Sequence, residues 1–245
     1  MIKALLFDLG GTLAYDESGG KLVEKAYHNV VRYLSVMGYD VTVEDFMRTH
    51  LEVCEELREE IKGKPVELDM IYSYWQTLKR LGIAPKLPLV KGCIEAYYLV
   101  KVSSVKFFPD VVPTLERVKS LGLKTAIVSN ANIGFDYVVA RLNLRKYFDV
   151  LVASYRITKK KPHPLIFTKA LEFLGVDIDE SVMIGDSLNA DIIGAKSLGI
   201  KAIWIVRRDI NIDDLIKGLK LKPDAVIRSL DELFNVVELG RPEKL

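Results

Sequence analysis

Three apolar runs in this chain end in residues able to handle a phosphate group or a metal ion. Lys3–Leu9 is a nearly continuous apolar run interrupted by Asp8 and followed by Gly10-Gly11-Thr12. Ile127-Val128 leads into Ser129-Asn130, and Met183-Ile184 leads into Gly185-Asp186-Ser187, with Asp191 one helical turn further on. A fourth stretch, Lys159–Lys161, places three lysines ahead of Pro162. A carboxylate closing an apolar run is costly to bury unless something pairs with it. Carboxylates can serve as nucleophiles or as ligands for hard cations. Hydroxyl, amide and ammonium groups bind phosphoryl oxygens. Each stretch also has an ordinary account. Asp8 can cap a turn, Ser-Asn is good turn chemistry, three lysines suit a solvated loop, and Asp191 suits the first turn of a helix.

The elements that must position these residues follow from periodicity. An apolar run bounded by glycines predicts a strand buried on both faces, as in a parallel sheet. After Thr12 the pattern turns helical, with helices expected over Lys21–Met37, Val43–Ile61 (Thr42 as N-cap), Asp69–Leu81 and Pro88–Val102. From Phe107 onward strands and helices alternate, with strands expected at Lys124–Ser129, Phe148–Ala153, Ser181–Gly185, Lys201–Val206 and Ala225–Ile227. Strands separated by helices of this length imply right-handed crossovers and a doubly wound parallel sheet. The expected fold is α/β: a Rossmann-like core from residues 1–16 and 104–245, with an inserted α-helical domain over 17–103. In such sheets, ligands bind beyond the carboxyl ends of the strands. All four stretches then fall at one rim, which their separate ordinary accounts do not explain.

Bulk properties bound the partners. With 245 residues, 49% of them hydrophobic, and a net charge of +2, the chain has ample core and too little charge to argue for nucleic acid or an anionic membrane. No apolar run approaches a membrane span, and the N-terminus lacks signal-peptide architecture. Cys54 and Cys93 show neither metal-ligand spacing nor a disulfide framework. A cytoplasmic protein, monomer or homodimer, is expected.

The set Asp8-Leu9-Gly10-Gly11-Thr12, Ser129-Asn130, Lys161-Pro162 and Gly185-Asp186-Ser187 with Asp191 resembles the four motifs of the haloacid dehalogenase (HAD) superfamily of hydrolases. The helical insertion after the first motif is similar to the cap of that superfamily's helical-cap branch. The resemblance implies phosphoryl transfer from a small phosphorylated substrate through an aspartyl-phosphate. Asp8 is then the nucleophile. Ser129 and the backbone amide of Asn130 hold a phosphoryl oxygen, and Lys161 offsets its charge. Mg²⁺ sits between Asp8, Asp186 and the Gly10 carbonyl, Asp191 orients Lys161 or metal-bound water, and Thr12 braces the loop.

The chain departs from the pattern at Gly10, where phosphatases of the superfamily usually carry an aspartate. That aspartate protonates the leaving oxygen and later activates water, a role worth about 10²–10⁴-fold in rate. Asp16 and Glu17 lie nearby in sequence as candidate replacements. The favoured expectation is an Mg²⁺-dependent phosphatase. The alternatives are a 2-haloacid dehalogenase, which needs no leaving-group proton but also no carboxylate at Asp186, and a non-catalytic phosphate-binding relative. His163 is expected to open a helix, His28 and His50 have no expected role, and Arg207-Arg208 are expected in a solvated loop.

Overall fold

The computed structural model describes residues 1–237; the end of the expected core domain, 238–245, lies outside the described residues. In chain order, β1 (Ala4–Phe7) and a short β2 (Ala14–Asp16) precede helices α1 (Leu22–Val36), α2 (Val43–Glu60), α3 (Met70–Arg80) and α4 (Leu87–Lys101). Next come β3 (Val105–Phe107), α5 (Val111–Ser120), β4 (Lys124–Ser129), α6 (Gly134–Arg141), β5 (Val150–Ala153), α7 (Ser154–Ile157), α8 (Pro164–Leu174) and β6 (Ser181–Gly185). A π-helical turn at Leu188–Ile193 leads to α9 (Gly194–Ser197), β7 (Lys201–Ile205), α10 (Ile212–Ile216), β8 (Ala225–Ile227) and α11 (Leu233–Val236).

Six strands form one parallel sheet in the order β5-β4-β1-β6-β7-β8. The fold is thus α/β and doubly wound, with a helical insertion between β1 and β4. The central strand β1 is wholly buried, as its unbroken apolar run requires. Alternate residues serve opposite faces. Ala4 and Leu6 join Ile166, Phe167 and Leu171 of α8, whereas Phe7 meets Phe148 edge-on at 5.9 Å. Phe7 is in register with Ile127 of β4 and Ile184 of β6. The residues that follow these three positions therefore emerge along one edge. The chain turns to opposite sides of β1 after its first and second halves, the place where open α/β sheets bind ligands.

The chain divides into two compact units: Met1–Tyr15, Lys106–Asn130 and the chain from Asn143 in one, Asp16–Val105 with Ala131–Leu142 in the other. The expected boundaries assign residues 131–142 to the α/β core. In the structure α6 groups with the helices, because Tyr98 stacks on Tyr137 at 5.1 Å and donates to Asn132 Oδ1 at 2.8 Å. β2 and β3, which flank the four helices in sequence, pair as a two-stranded sheet.

The helical unit closes over Val30, Leu34, Phe46, Tyr74, Leu78 and Val90, all fully buried. Thr42 caps α2 by accepting from the Asp45 amide, and Asp69 caps α3 by accepting from the Ile71 and Tyr72 amides. Of the aromatic residues in this bundle, Tyr74 and Tyr98 are buried while Tyr72 is exposed. A polar chain crosses the interior. Thr77 donates to the Ser73 carbonyl at 2.8 Å, so it accepts from His50 Nδ1 at 2.9 Å. His50 Nε2 is then an acceptor, facing Cys54 Sγ at 3.5 Å. Among the described residues, no helix is long and apolar enough to cross a membrane.

Candidate active site

Asp8 follows β1 and is tied to the sheet by its amide, which donates to the Ile184 carbonyl at 2.9 Å. Its Oδ1 accepts from Lys161 Nζ at 2.6 Å. The same ammonium meets Asp191 Oδ1 at 2.7 Å and donates to the Val128 carbonyl at 2.5 Å. The ammonium thus makes two hydrogen bonds and a further ion pair. Lys161 and Asp191 side chains are each 1% exposed, so these charges face one another with little water between them. Such a grouping is costly unless well paired.

The carboxylates of Asp8, Asp186 and Asp191 lie within 4.8 Å of one another. One lysine against three carboxylates leaves the cluster short of positive charge. Burial pushes the Asp8 carboxyl up to about 7; Lys161 opposes this, and Asp191 and Asp186 add to it. Asp186 is also raised, by burial first and then by Asp191. Burial pulls Lys161 down, but Asp191 and Asp8 more than offset it, and its affinity for the proton is raised. Oxygen donors with excess negative charge fit a hard divalent cation.

Local structure explains how each group is held. Asn130, just past β4, donates from Nδ2 to the Lys161 carbonyl at 2.9 Å and accepts at Oδ1 from the Lys161 amide at 2.6 Å. Its side chain therefore fixes the backbone of the lysine loop, a contact that the sequence expectation, confined to its backbone amide, does not contain. Ser129 ends β4 and is buried. Asp191 sits in the π-helical turn at Leu188–Ile193 rather than in the first turn of an ordinary helix. There the amides of Asp191 and Ile192 both reach the Ser187 carbonyl. Its Oδ2 accepts from the Ser187 amide at 3.0 Å. Trp204 of β7 donates Nε1–H to the Asp186 carbonyl at 2.9 Å, steadying that loop from the next strand.

The two loop glycines differ. At Gly11 φ is +78°, and a Cβ there would lie 2.3 Å from Asp186 Oδ2, so a side chain is excluded twice over. At Gly10 a Cβ would meet nothing within 4 Å. Space for the missing acid is present although the acid is not.

Several expected residues stand elsewhere or act differently. Asp16 belongs to the helical unit. It accepts from the Ser18 amide and hydroxyl and the Ser104 hydroxyl, and pairs with Lys101 Nζ at 2.5 Å. Partial burial pushes its carboxyl up, but these donors outweigh it and hold it well below the usual carboxylate range. It is therefore no source of protons at neutral pH. Thr12 is fully buried, and among the described residues its hydroxyl has no hydrogen-bond partner; its carbonyl is the group that is held. That grip comes from Arg207, which is not the solvated residue expected but is largely buried, its guanidinium over the Phe108 ring. His163 opens α8 as expected, accepting from the Leu165 amide at 3.2 Å.

Comparison with known proteins agrees with this geometry. A family model described as haloacid dehalogenase-like hydrolase matches residues 2–199. The chain is 34% identical over 246 aligned residues to a glyceraldehyde 3-phosphate phosphatase of Methanopyrus kandleri, covering 97% of each. Among solved structures it resembles a HAD phosphatase from Thermococcus onnurineus, with a TM-score of 0.65 and 28% identity over 98% of this chain and 100% of that one. It also resembles a 2-haloacid dehalogenase from Pseudomonas syringae, with a TM-score of 0.73 and 25% identity over 96% of this chain and 98% of that one. With its four motif stretches gathered along one edge of a doubly wound sheet and a family match running through nearly all of it, the chain belongs to the haloacid dehalogenase-like hydrolases.

Proposed function

We propose that this hydrolase is an Mg²⁺-dependent phosphatase of small phosphorylated metabolites, with glyceraldehyde 3-phosphate, the substrate named for its relatives, as the first candidate. The observation that carries the reading is the charge imbalance at the rim, one buried lysine against three carboxylates. A dianionic phosphoryl group alone would worsen that imbalance. The phosphatase reading therefore needs a cation, and the cluster is built from the oxygen ligands a hard cation prefers.

Asp8 and Asp186, with the Gly10 carbonyl, are the residues to hold Mg²⁺. When bound, the ion supplies charge compensation for the phosphoryl oxygens and favours the ionised form of Asp8. An Asp8 carboxylate oxygen forms a bond to phosphorus while the bond from phosphorus to the ester oxygen breaks. Lys161 offsets charge on the non-bridging oxygens, and Ser129 with the Asn130 amide holds one of them. Asp191 keeps Lys161 aimed at Asp8. With Gly10 offering no proton, the leaving oxygen takes one from solvent. Water then cleaves the aspartyl-phosphate, releasing inorganic phosphate and returning Asp8. The helical unit takes the place in the chain of the superfamily's helical cap, the part that a lid over the substrate would play.

Phosphate release from D-glyceraldehyde 3-phosphate, an aryl phosphate and a simple alkyl phosphate, each with Mg²⁺ and with EDTA, tests the reading. Mg²⁺-dependent release supports it. Absence of release from every ester overturns it. Halide release from 2-chloropropionate, unaffected by EDTA, would establish the dehalogenase reading that the Pseudomonas structure and Gly10 together raise.

A further inference from the structure

The loop after Asp8 contains Gly10-Gly11, and adjacent glycines lose more backbone freedom on ordering than other residues. Its own hydrogen bonds run from the Gly11 amide to the Ala14 carbonyl and from the Leu13 and Ala14 amides to the Leu9 carbonyl, each 2.9 Å. The Thr12 carbonyl lies outside that set and is held by a distant residue. Arg207, beyond the end of β7, donates to it from Nε at 3.0 Å and from Nη2 at 2.7 Å.

Arg207 is itself fixed on its remaining sides. Its Nη1 lies 3.1 Å from Asp110 Oδ2, and both side chains are 13% exposed. Its guanidinium carbon lies 3.9 Å from the centroid of the Phe108 ring, within cation–π range. Asp110 Oδ2 in turn accepts from the Ser229 hydroxyl at 2.9 Å and the Leu230 amide at 2.6 Å. A planar fork whose donors face a carbonyl and a carboxylate while its plane covers a ring is a use to which arginine is suited and lysine is not. The grip falls four residues past the candidate nucleophile, on a carbonyl that the loop's own hydrogen bonds leave out.

We propose that Arg207 is a positioning residue for the nucleophile loop: it sets the place of Asp8 by holding the Thr12 carbonyl, without touching substrate. The kinetic half of this claim rests on the phosphatase reading; the structural half does not. Backbone amide exchange and steady-state kinetics on Arg207→Met and Arg207→Lys test it. In Arg207→Met the amides of Gly11, Leu13 and Ala14 exchange about 10-fold faster or more, while those of β6 keep their protection. Turnover falls about 10–10²-fold, because misplacing a reacting group by a fraction of an ångström is costly, and KM moves little. Arg207→Lys lies between, since it keeps the charge but loses the fork. Arg208→Met, an equal change of charge at the exposed neighbour, leaves loop exchange unaltered. Should Arg207→Met fail to fold, Asp110→Asn weakens the same grip and gives a smaller change in the same direction. Unchanged exchange of the loop amides, or a loss confined to KM, would overturn the proposal. If the wild-type chain releases no phosphate, the functional reading fails while the exchange comparison still decides what Arg207 does.

Discussion

Two regions of this molecule bury polar side chains, and they do so by opposite means. Inside the helical unit Ser73, Thr77, His50 and Cys54 are at most 3% exposed, yet all are neutral and each donor finds an acceptor. Burial, with a smaller effect from Arg58, lowers His50 to about 4, which keeps the ring uncharged. At the rim of the sheet Asp8, Lys161 and Asp191 are at most 8% exposed and carry unequal numbers of opposite charges. The first set is neutral and hydrogen-bonded within itself, the neighbouring Tyr74 hydroxyl excepted, whereas the second holds more carboxylates than cations, the difference that a divalent cation makes up under the phosphatase reading. Buried polarity is therefore a poor guide to function here; unbalanced buried charge is the better one.

The largest break in that comparison comes from Asp8→Asn. It removes the nucleophile while keeping size and hydrogen-bonding capacity, and turnover should drop by about 10³-fold or more. Because the change also relieves crowding among carboxylates, the melting temperature should hold or rise. A variant near wild-type rate, in a preparation free of other phosphatases, would remove Asp8 from the chemistry.

The helical interior should respond to pH where the rim's logic does not apply. The folded ring of His50 takes a proton only near pH 4, whereas the unfolded chain takes one near its ordinary value of 6.5. Between those values the unfolded state binds more protons, so stability falls as pH drops through the window and levels off below it. The loss is on the order of 3 kcal/mol. Denaturant titrations of wild type and His50→Gln from pH 7 to 4 check this: the variant starts less stable but should lack that part of the slope. Identical slopes would mean that the ring is not buried neutral.

A smaller, sharper test uses Gly10. Without an acid there, kcat/KM, which reports the first step, should fall steeply as the leaving group becomes more basic, so aryl phosphates outrun alkyl phosphates in kcat/KM. The open space at this position makes Gly10→Asp feasible, and it should raise alkyl-ester turnover by up to about 10²-fold. A wild-type kcat/KM indifferent to leaving-group basicity would show that another group already delivers the proton. Asp16 would be an unsuitable one, locked as it is to Lys101 and Ser104.

Much of this architecture was legible in the sequence because burial on two faces leaves an unmistakable pattern. The apolar runs ending at Asp8, Ser129 and Gly185 reported both the sheet and the edge where their polar successors gather. Thr42 and His163 could be read as helix openers from local chemistry alone. What stayed hidden depends on contacts distant in sequence. Arg207 looks like any arginine after a strand; its value comes from meeting Thr12, Phe108 and Asp110, which only the strand order β1-β6-β7 makes possible. The side chain of Asn130 was likewise unreadable, because its partner is the backbone of Lys161. The grouping of α6 with the helical unit turns on Tyr98, a residue whose spacing marks it only as apolar bundle core. Nothing in the composition of Leu188–Leu198 announces the π-helical turn that brings Asp191 onto Lys161.

The central claim is that phosphate passes through Asp8, and rapid acid quench during turnover of a labelled aryl phosphate with Mg²⁺ tests it most directly. With Gly10 in place of a base, water attack on the intermediate is unassisted and the second step should be the slow one. The account predicts a phosphorylated enzyme that accumulates within the first turnover, is labile to hydroxylamine as an acyl phosphate must be, and maps to the peptide containing Asp8. Turnover at full rate with no label on Asp8 at any quench time, or with label on a different residue, would contradict it.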